Sequence, residues 1–407
     1  MSTSTRQPAE QLALLGGAPA VDRTQWPSWP PRLPGLVEAL RQVVEEDQWG
    51  VRSATIKQFE EAFAAYHEAE FALAMANGTL ALQAALLALG VEPGDEVILP
   101  AYTFVATAAA VRYAGAHPVF ADVDPTTFNL DPQDAARRIT PRTRAILPVH
   151  IGGNPADMAA INKLAEQHGL AVIEDAAQAH GAIYAGRKVG ALGLAGCFSF
   201  QSSKNMTGGE GGILLTNDRA YYERAYQIYN CGRALGGPWH EHVALGLNLR
   251  ISAFQAAVLL HQLPQVESWA VTREANGRYL EERLGAIPGI TCARRYPETG
   301  RNAYHLFIFT YDPDPFDGLP RARFLEALNA EGVVASQGYR PLTDLPFLYS
   351  KEQQAKGGSA QSWPVTEYVS QQGVWLRQFE LLADRNMMDG IVAAVEKVRA
   401  EAEKLQK

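Results

Sequence analysis

The chain has 407 residues, 47% of them hydrophobic and 20% charged, and a net charge of −8. It exceeds a single domain of about 150 residues and can fill a sizeable core, which excludes a small module and a globally disordered chain. The negative balance offers no basic field to condense on phosphate backbones, so nucleic-acid binding is set aside. Cys197, Cys231 and Cys292 are far apart and odd in number, so neither a disulfide framework nor a metal site is expected. The apolar run at 12–16 is too short for a secretory signal and no run approaches a membrane span, so a soluble, cytoplasmic protein with no membrane partner is expected.

Residues 1–50 contain Trp26-Pro-Ser-Trp-Pro-Pro31 and read as an extended N-terminal arm, because proline disfavours helix in the residue before it. Short apolar runs at 71–75, 96–99, 118–122, 144–149, 170–174 and 197–200 then alternate with helical stretches. Their recurrence every 25 residues or so, roughly, is the spacing of strand–helix–strand crossovers. It predicts an α/β large domain over 51–263, a mostly parallel sheet with helices on both faces and ligands beyond the carboxyl ends of its strands. Asn217-Asp218 reads as the cap of a helix reaching about Tyr229, followed by a Gly-rich connector at 231–238. Residues 252–263 read as a buried helix. After Pro264 a separate charged helix over 267–284, shorter strands over 303–311 and terminal helices predict a smaller C-terminal α+β domain over 264–407.

The polar residues after each apolar run carry the chemistry. Asn77-Gly78-Thr79 opens a helix that Gly90 ends; the free N–H groups of such an opening suit phosphate, and equally Thr79 can be a plain helix cap. Asp175 in Glu174-Asp175-Ala-Ala-Gln178 closes a strand, where a buried carboxylate needs a cationic partner, although a cap for a following helix reads as well. Phe198-Ser-Phe-Gln-Ser-Ser-Lys204 ends a strand in a lysine and a glycine-rich loop. A lysine there would sit at the sheet edge beside Asp175; it reads as a solvated surface residue, or, if buried against an apolar wall or near a cation, as a nucleophilic amine of depressed pKa. Neither nucleotide-loop pattern, G-x-x-x-x-G-K-[ST] or G-x-G-x-x-G, is present.

Asn77-Gly-Thr79, Pro100-Ala-Tyr-Thr-Phe104, Glu174-Asp-Ala-Ala-Gln178 and Phe198-Ser-Phe-Gln-Ser-Ser-Lys204…Gly-Glu-Gly-Gly212, in this order, resemble the DegT/DnrJ/EryC1/StrS family of sugar and cyclitol aminotransferases from about Trp49 to the C-terminus. The resemblance implies the fold type I, aspartate aminotransferase-like architecture and pyridoxal 5'-phosphate as cofactor. It implies that Lys204 forms the Schiff base and moves the proton, and that Asp175 keeps the pyridine nitrogen protonated. Phe104 would stack on the ring, Gln178 would contact its 3-hydroxyl side, and Gly78, Thr79 and Ser199 would cradle the phosphate. Asn248 would reach the phosphate of a neighbouring subunit, implying a homodimer with shared sites; it could also cap a helix. Arg250, Tyr304, His305 and Arg340 are candidates for holding substrate, since fork-like donors suit carboxylates.

The chain departs from the family pattern at Gly193-Leu-Ala-Gly196, where an acidic residue is usual, and at His150-Ile-Gly-Gly-Asn154, which lacks an aromatic. Both bear on substrate rather than cofactor. The branch it resembles uses glutamine and scyllo-inosose-type ketones, with glutamate and nucleotide-linked ketosugars as alternatives. An aromatising dehydratase of the 3-amino-5-hydroxybenzoate synthase type and a cofactor-bound regulatory protein without turnover are the remaining readings. Lys204 argues against the relatives that carry histidine there and act as sugar dehydratases.

Overall fold

The computed structural model describes residues 11–349 and 362–406. Its helices and strands follow in chain order: α1 Leu36–Glu45, α2 Ala54–Tyr66, β1 Phe71–Met75, α3 Gly78–Leu89, β2 Glu96–Pro100, α4 Val105–Tyr113, β3 His117–Ala121, α5 Pro132–Arg137, β4 Thr143–Ile146, α6 Met158–His168 and β5 Ala171–Asp175. Next come β6 Ile183–Tyr184, β7 Arg187–Lys188, β8 Ala195–Ser199, β9 Gly212–Thr216, α7 Arg219–Tyr229, α8 Ala253–Gly285, β10 Ile290–Cys292, β11 Thr299–Arg301 and β12 Leu306–Tyr311. The chain ends with α9 Arg321–Ala330, β13 Ser336–Gln337, α10 Pro364–Gln372, β14 Gly373–Arg377 and α11 Arg385–Ala400.

Seven strands form the central sheet in the order β1-β9-β8-β5-β4-β2-β3. Neighbours from β8 to β3 pair in parallel, and β9 alone runs against both of its neighbours. Helices cover both faces of this sheet, so its inner strands are buried along their whole length, as parallel β2 and antiparallel β9 both are. One face packs on α2, α6 and α8 through Phe59, Phe63, Ile161 and Leu259. The other packs on α3, α4 and α7 through Leu82, Leu86, Val111 and Tyr221. A four-stranded antiparallel sheet, β10-β12-β14-β13, carries its own core with α9 and α11, in which Phe309, Phe324 and Ile391 are buried. Among the described residues no helix is long and apolar enough to cross a membrane.

Three local expectations change. The stretch expected to be extended contains α1, which Gly35 caps directly after the last proline of the segment, and its Leu40 and Val43 pack on the core. The two helices expected around Pro264 are one helix of 33 residues, opened by a reciprocal Ser252–Gln255 capping box. A mid-helix proline costs about 3 kcal/mol, and burial of Leu259, Leu263, Val266 and Ala270 on either side outweighs it. Asn77, not Thr79, caps α3, its side chain accepting the Leu80 N–H at 2.9 Å.

Candidate active site

At the carboxyl ends of β5 and β8 lies a cavity of about 790 Å³. Asp175 is the last residue of β5 and buried. Its Oδ2 accepts from the Thr107 hydroxyl at 2.7 Å and its Oδ1 from the Ala177 N–H at 3.2 Å. The second bond makes a local turn, and no helix follows, so the capping alternative falls away. Burial pushes the Asp175 carboxyl up; Thr107, the Ala177 N–H and the Lys204 charge offset only part of that. A carboxylate in this condition is one that a cationic ligand group stabilises.

Lys204 sits in the β8–β9 hairpin loop and lines the same cavity. Burial pushes its amine down to about 8, while Asp175 pulls the other way. The loop is held from several sides. Thr207 exchanges two hydrogen bonds with Gln262 of α8, at 3.1 and 2.6 Å, and Asn205 donates to the Ala303 carbonyl at 2.7 Å. The lysine is thus aimed by a braced loop, and its amine is partly neutral near pH 8.

Gln178 is buried, with Oε1 accepting the Gly152 N–H at 2.7 Å and Nε2 donating to the Tyr339 hydroxyl at 3.1 Å. Phe104, at the start of α4, is 52% exposed and borders the cavity, its ring 5.9 Å from that of Tyr339. Gly78 and Thr79, in the first turn of α3, line the cavity beside Ser199. First-turn N–H groups have no acceptor within their own helix and leave a positive dipole end there.

A Cβ on Gly78 would lie 2.8 Å from Ser199 Cβ, so this crossing of α3 and β8 requires glycine. Gly78→Ala is expected to cost about 1–3 kcal/mol, read as a lower denaturant midpoint at constant slope. An unchanged midpoint would contradict the close approach. These features fit pyridoxal 5'-phosphate: a helix N-terminus for an anion, an exposed aromatic ring, a buried carboxylate for a ring cation and a lysine with a depressed pKa.

The other expected substrate contacts divide. His305 lines the cavity, buried, with Nδ1 3.3 Å from Asn205 Oδ1. Tyr304 does not reach it: its hydroxyl donates to Glu281 at 2.6 Å and meets Arg295, and its ring fills the space that Gly277 leaves. Arg250 donates to Asn230 Oδ1 at 3.0 Å outside the cavity. Arg340 is exposed and away from it, while Tyr339 next to it lines it. Asn248 is exposed, paired through its backbone with Asn230, and caps nothing, since Ser252 caps α8.

Sequence reading missed Thr107, Tyr339, Trp375 and Arg377, of which the last three line the cavity. It also missed a buried pair below Asp175. Glu174 accepts from His150 Nε2 at 3.0 Å and from the N–H groups of Gly190, Leu192 and Gly193 at 2.7–2.8 Å. Burial pushes the Glu174 carboxyl up, but His150 and these N–H groups outweigh it and hold it below the usual range. The segment that lacks the usual acidic residue is therefore tied to a carboxylate on the neighbouring strand.

Residues 35–396 match the model of the DegT/DnrJ/EryC1/StrS aminotransferase family. The chain is similar to the L-glutamine:2-deoxy-scyllo-inosose aminotransferase of Micromonospora echinospora, 38% identical across 97% of this chain and 99% of the other. Among solved structures it is similar to 3-amino-5-hydroxybenzoic acid synthase, with a TM-score of 0.83 and 34% identity over 93% of this chain and 99% of the other. It is also similar to DesI determined in the presence of its TDP-sugar product, with a TM-score of 0.81 and 30% identity over 96% of each chain.

Proposed function

Because the chain belongs to the DegT/DnrJ/EryC1/StrS aminotransferase family, we propose that it uses pyridoxal 5'-phosphate to move an amino group from glutamine or glutamate to the ketone of a scyllo-inosose-type cyclitol. The observation that carries this reading is the meeting of Lys204 and Asp175, from two strand ends, in one cavity beside the first turn of α3. For the acceptor, the similarity to a cyclitol aminotransferase over nearly both whole chains is the support. Charge agrees: among the described residues Arg377 is the one guanidinium lining the cavity, which suits an uncharged ring better than a nucleoside diphosphate.

When bound, the cofactor supplies an electron sink for the carbon that gains or loses the proton. Gly78 and Thr79 offer N–H groups, and Ser199 a hydroxyl, to its phosphate. Asp175, braced by Thr107, would pair with the ring nitrogen and favour its protonated form. Phe104 would cover a ring face, and Gln178, fixed by Gly152 and Tyr339, would meet the 3-hydroxyl side. Lys204 would hold the cofactor through Nζ, and the same amine would move a proton to and from the reacting carbon. Arg377 suits the donor's carboxylate. Asn248, exposed and outside its own chain's cavity, serves the phosphate of a second copy in a homodimer. The three free cysteines suit the reducing cytoplasm.

The test is incubation of the holoenzyme with α-¹⁵N-labelled L-glutamine and 2-deoxy-scyllo-inosose, with mass analysis of the product. A ¹⁵N-labelled amino-cyclitol is the expected result. The similarity to 3-amino-5-hydroxybenzoic acid synthase favours a second reading: a parallel incubation with an amino-cyclohexenone that yields an aromatic product by loss of water, while no amino-cyclitol forms in the first incubation, would establish it and overturn the first reading.

A further inference from the structure

Tyr304 has a backbone φ of 45°, a left-handed conformation that is costly for a bulky residue and persists only where the surroundings enforce it. They enforce it from three sides. The ring fills the notch left by Gly277, the hydroxyl donates to Glu281 at 2.6 Å and meets Arg295, and the N–H donates to Asn302 Oδ1 at 2.8 Å. Such strain collects at functional sites, and the next residue is His305 on the cavity wall, 6% exposed. His305 also borders a recess of about 380 Å³ that continues the cavity past Arg377 and Ser203.

The hydrogen bonds fix which imidazole nitrogen carries the proton. Asn205 Nδ2 donates to the Ala303 carbonyl at 2.7 Å, which turns its Oδ1 toward His305, 3.3 Å from Nδ1. An oxygen there makes Nδ1 the N–H and leaves Nε2 with a lone pair. Nε2 has no partner among the described residues, yet it is not sealed off by the packing; it stays reachable, and the spaces His305 borders are the cavity and its recess. The ring is held neutral: burial pushes its pKa well down, and the charges of Lys204, Arg273 and Arg377 push the same way. His305 thus offers the cavity an acceptor and no positive charge.

That distinction bears on the amino donor, because glutamine and glutamate differ by a γ-amide against a γ-carboxylate. With Arg377 on the α-carboxylate and Lys204 engaged by the cofactor, no further lysine or arginine among the described residues lines the cavity, whereas the exposed carboxylate of Glu210 does. A γ-carboxylate would meet a lone pair and an anion there, while a γ-amide brings an N–H for the lone pair.

We propose that His305 Nε2 accepts a hydrogen bond from the γ-amide of L-glutamine and thereby selects glutamine over glutamate as amino donor. The inference rests on the aminotransferase function proposed above and settles the donor that reading leaves open. The test mixes the holoenzyme with one donor at a time, without acceptor, and follows the loss of the cofactor's violet-edge band. The donors are L-glutamine, L-glutamate and the γ-methyl ester of L-glutamate, which is neutral like the amide but has no N–H. Glutamine is expected to react about tenfold more efficiently than the ester, the effect of one well-made hydrogen bond, and to exceed glutamate by more. In His305→Phe, which keeps a flat ring, the glutamine-to-ester ratio is expected to fall to about one. A merely structural role would slow both donors alike and leave that ratio unchanged, and the wild-type comparison stands even where the variant does not fold. A wild type that uses the ester as well as glutamine or prefers glutamate, or a folded variant that keeps the wild-type ratio, would overturn the assignment and leave the proposed function in place. A band that none of the donors bleaches would remove the aminotransferase function and the role of His305 with it.

Discussion

Lys204→Ala lowers turnover by at least about 10³-fold and leaves the protein folded. The fold survives because the loop is held by groups other than the lysine side chain: Gln262 braces Thr207, and the Ala303 carbonyl braces Asn205. The activity is lost because the same amine both retains the cofactor and moves the proton, and general acid/base transfer by itself accounts for about 10²–10⁴. The amine also sets a pH dependence. With its pKa pushed down to about 8, its capture of added pyridoxal phosphate by cofactor-free protein rises with pH below about 8 and levels above, because only the neutral amine attacks. Steady-state turnover and a thermal melt of the variant decide the matter. A folded variant retaining a tenth of wild-type turnover would remove Lys204 from the chemistry.

Asp175→Asn is the second large effect, a loss of about 10²- to 10⁴-fold in turnover. The amide oxygen can still accept from the Ala177 N–H, and the amide N–H can donate to the Thr107 hydroxyl if that hydroxyl turns to Thr103, so the shape is kept while the charge is removed. Without the negative charge a ring nitrogen is no longer held protonated, and the electron sink weakens. A second consequence follows from the sign of the interaction. Asp175 raises the Lys204 pKa against burial, so in the variant the inflection in cofactor capture moves below 8. Turnover within threefold of wild type, or an inflection that moves up, would contradict this role.

The residues whose chemistry sits in a local pattern were legible. Lys204, Asp175, Gln178 and Phe104 each follow an apolar run, and the strand-end rule for parallel sheets brings them to one cavity. Thr107 was not legible, because one turn inside an alanine-rich helix it looks like a filler and acts only through a hydrogen bond to Asp175, 68 residues away. Tyr339, Trp375 and Arg377 reach the cavity from the C-terminal part, where β13 and β14 place them by a register that no short motif encodes. Arg250, Tyr304 and Arg340 were selected by residue type rather than position, and the fold takes them elsewhere. Strand β9 was hidden because Ile213-Leu-Leu215 follows a glycine-rich loop, and its reversal against β1 and β8 depends on pairing across the sheet. Pro264 reads as punctuation in sequence, yet burial along α8 overrides it.

The most direct test of Lys204 as the group that carries cofactor and proton is the absorbance spectrum of the purified holoenzyme before and after L-glutamine or L-glutamate, without any acceptor. The account predicts a violet-edge band that one of these donors bleaches to the pyridoxamine form in the wild type, and no such donor response in Lys204→Ala. A wild-type protein whose spectrum ignores both donors, or a Lys204→Ala variant that responds as the wild type does, would contradict it.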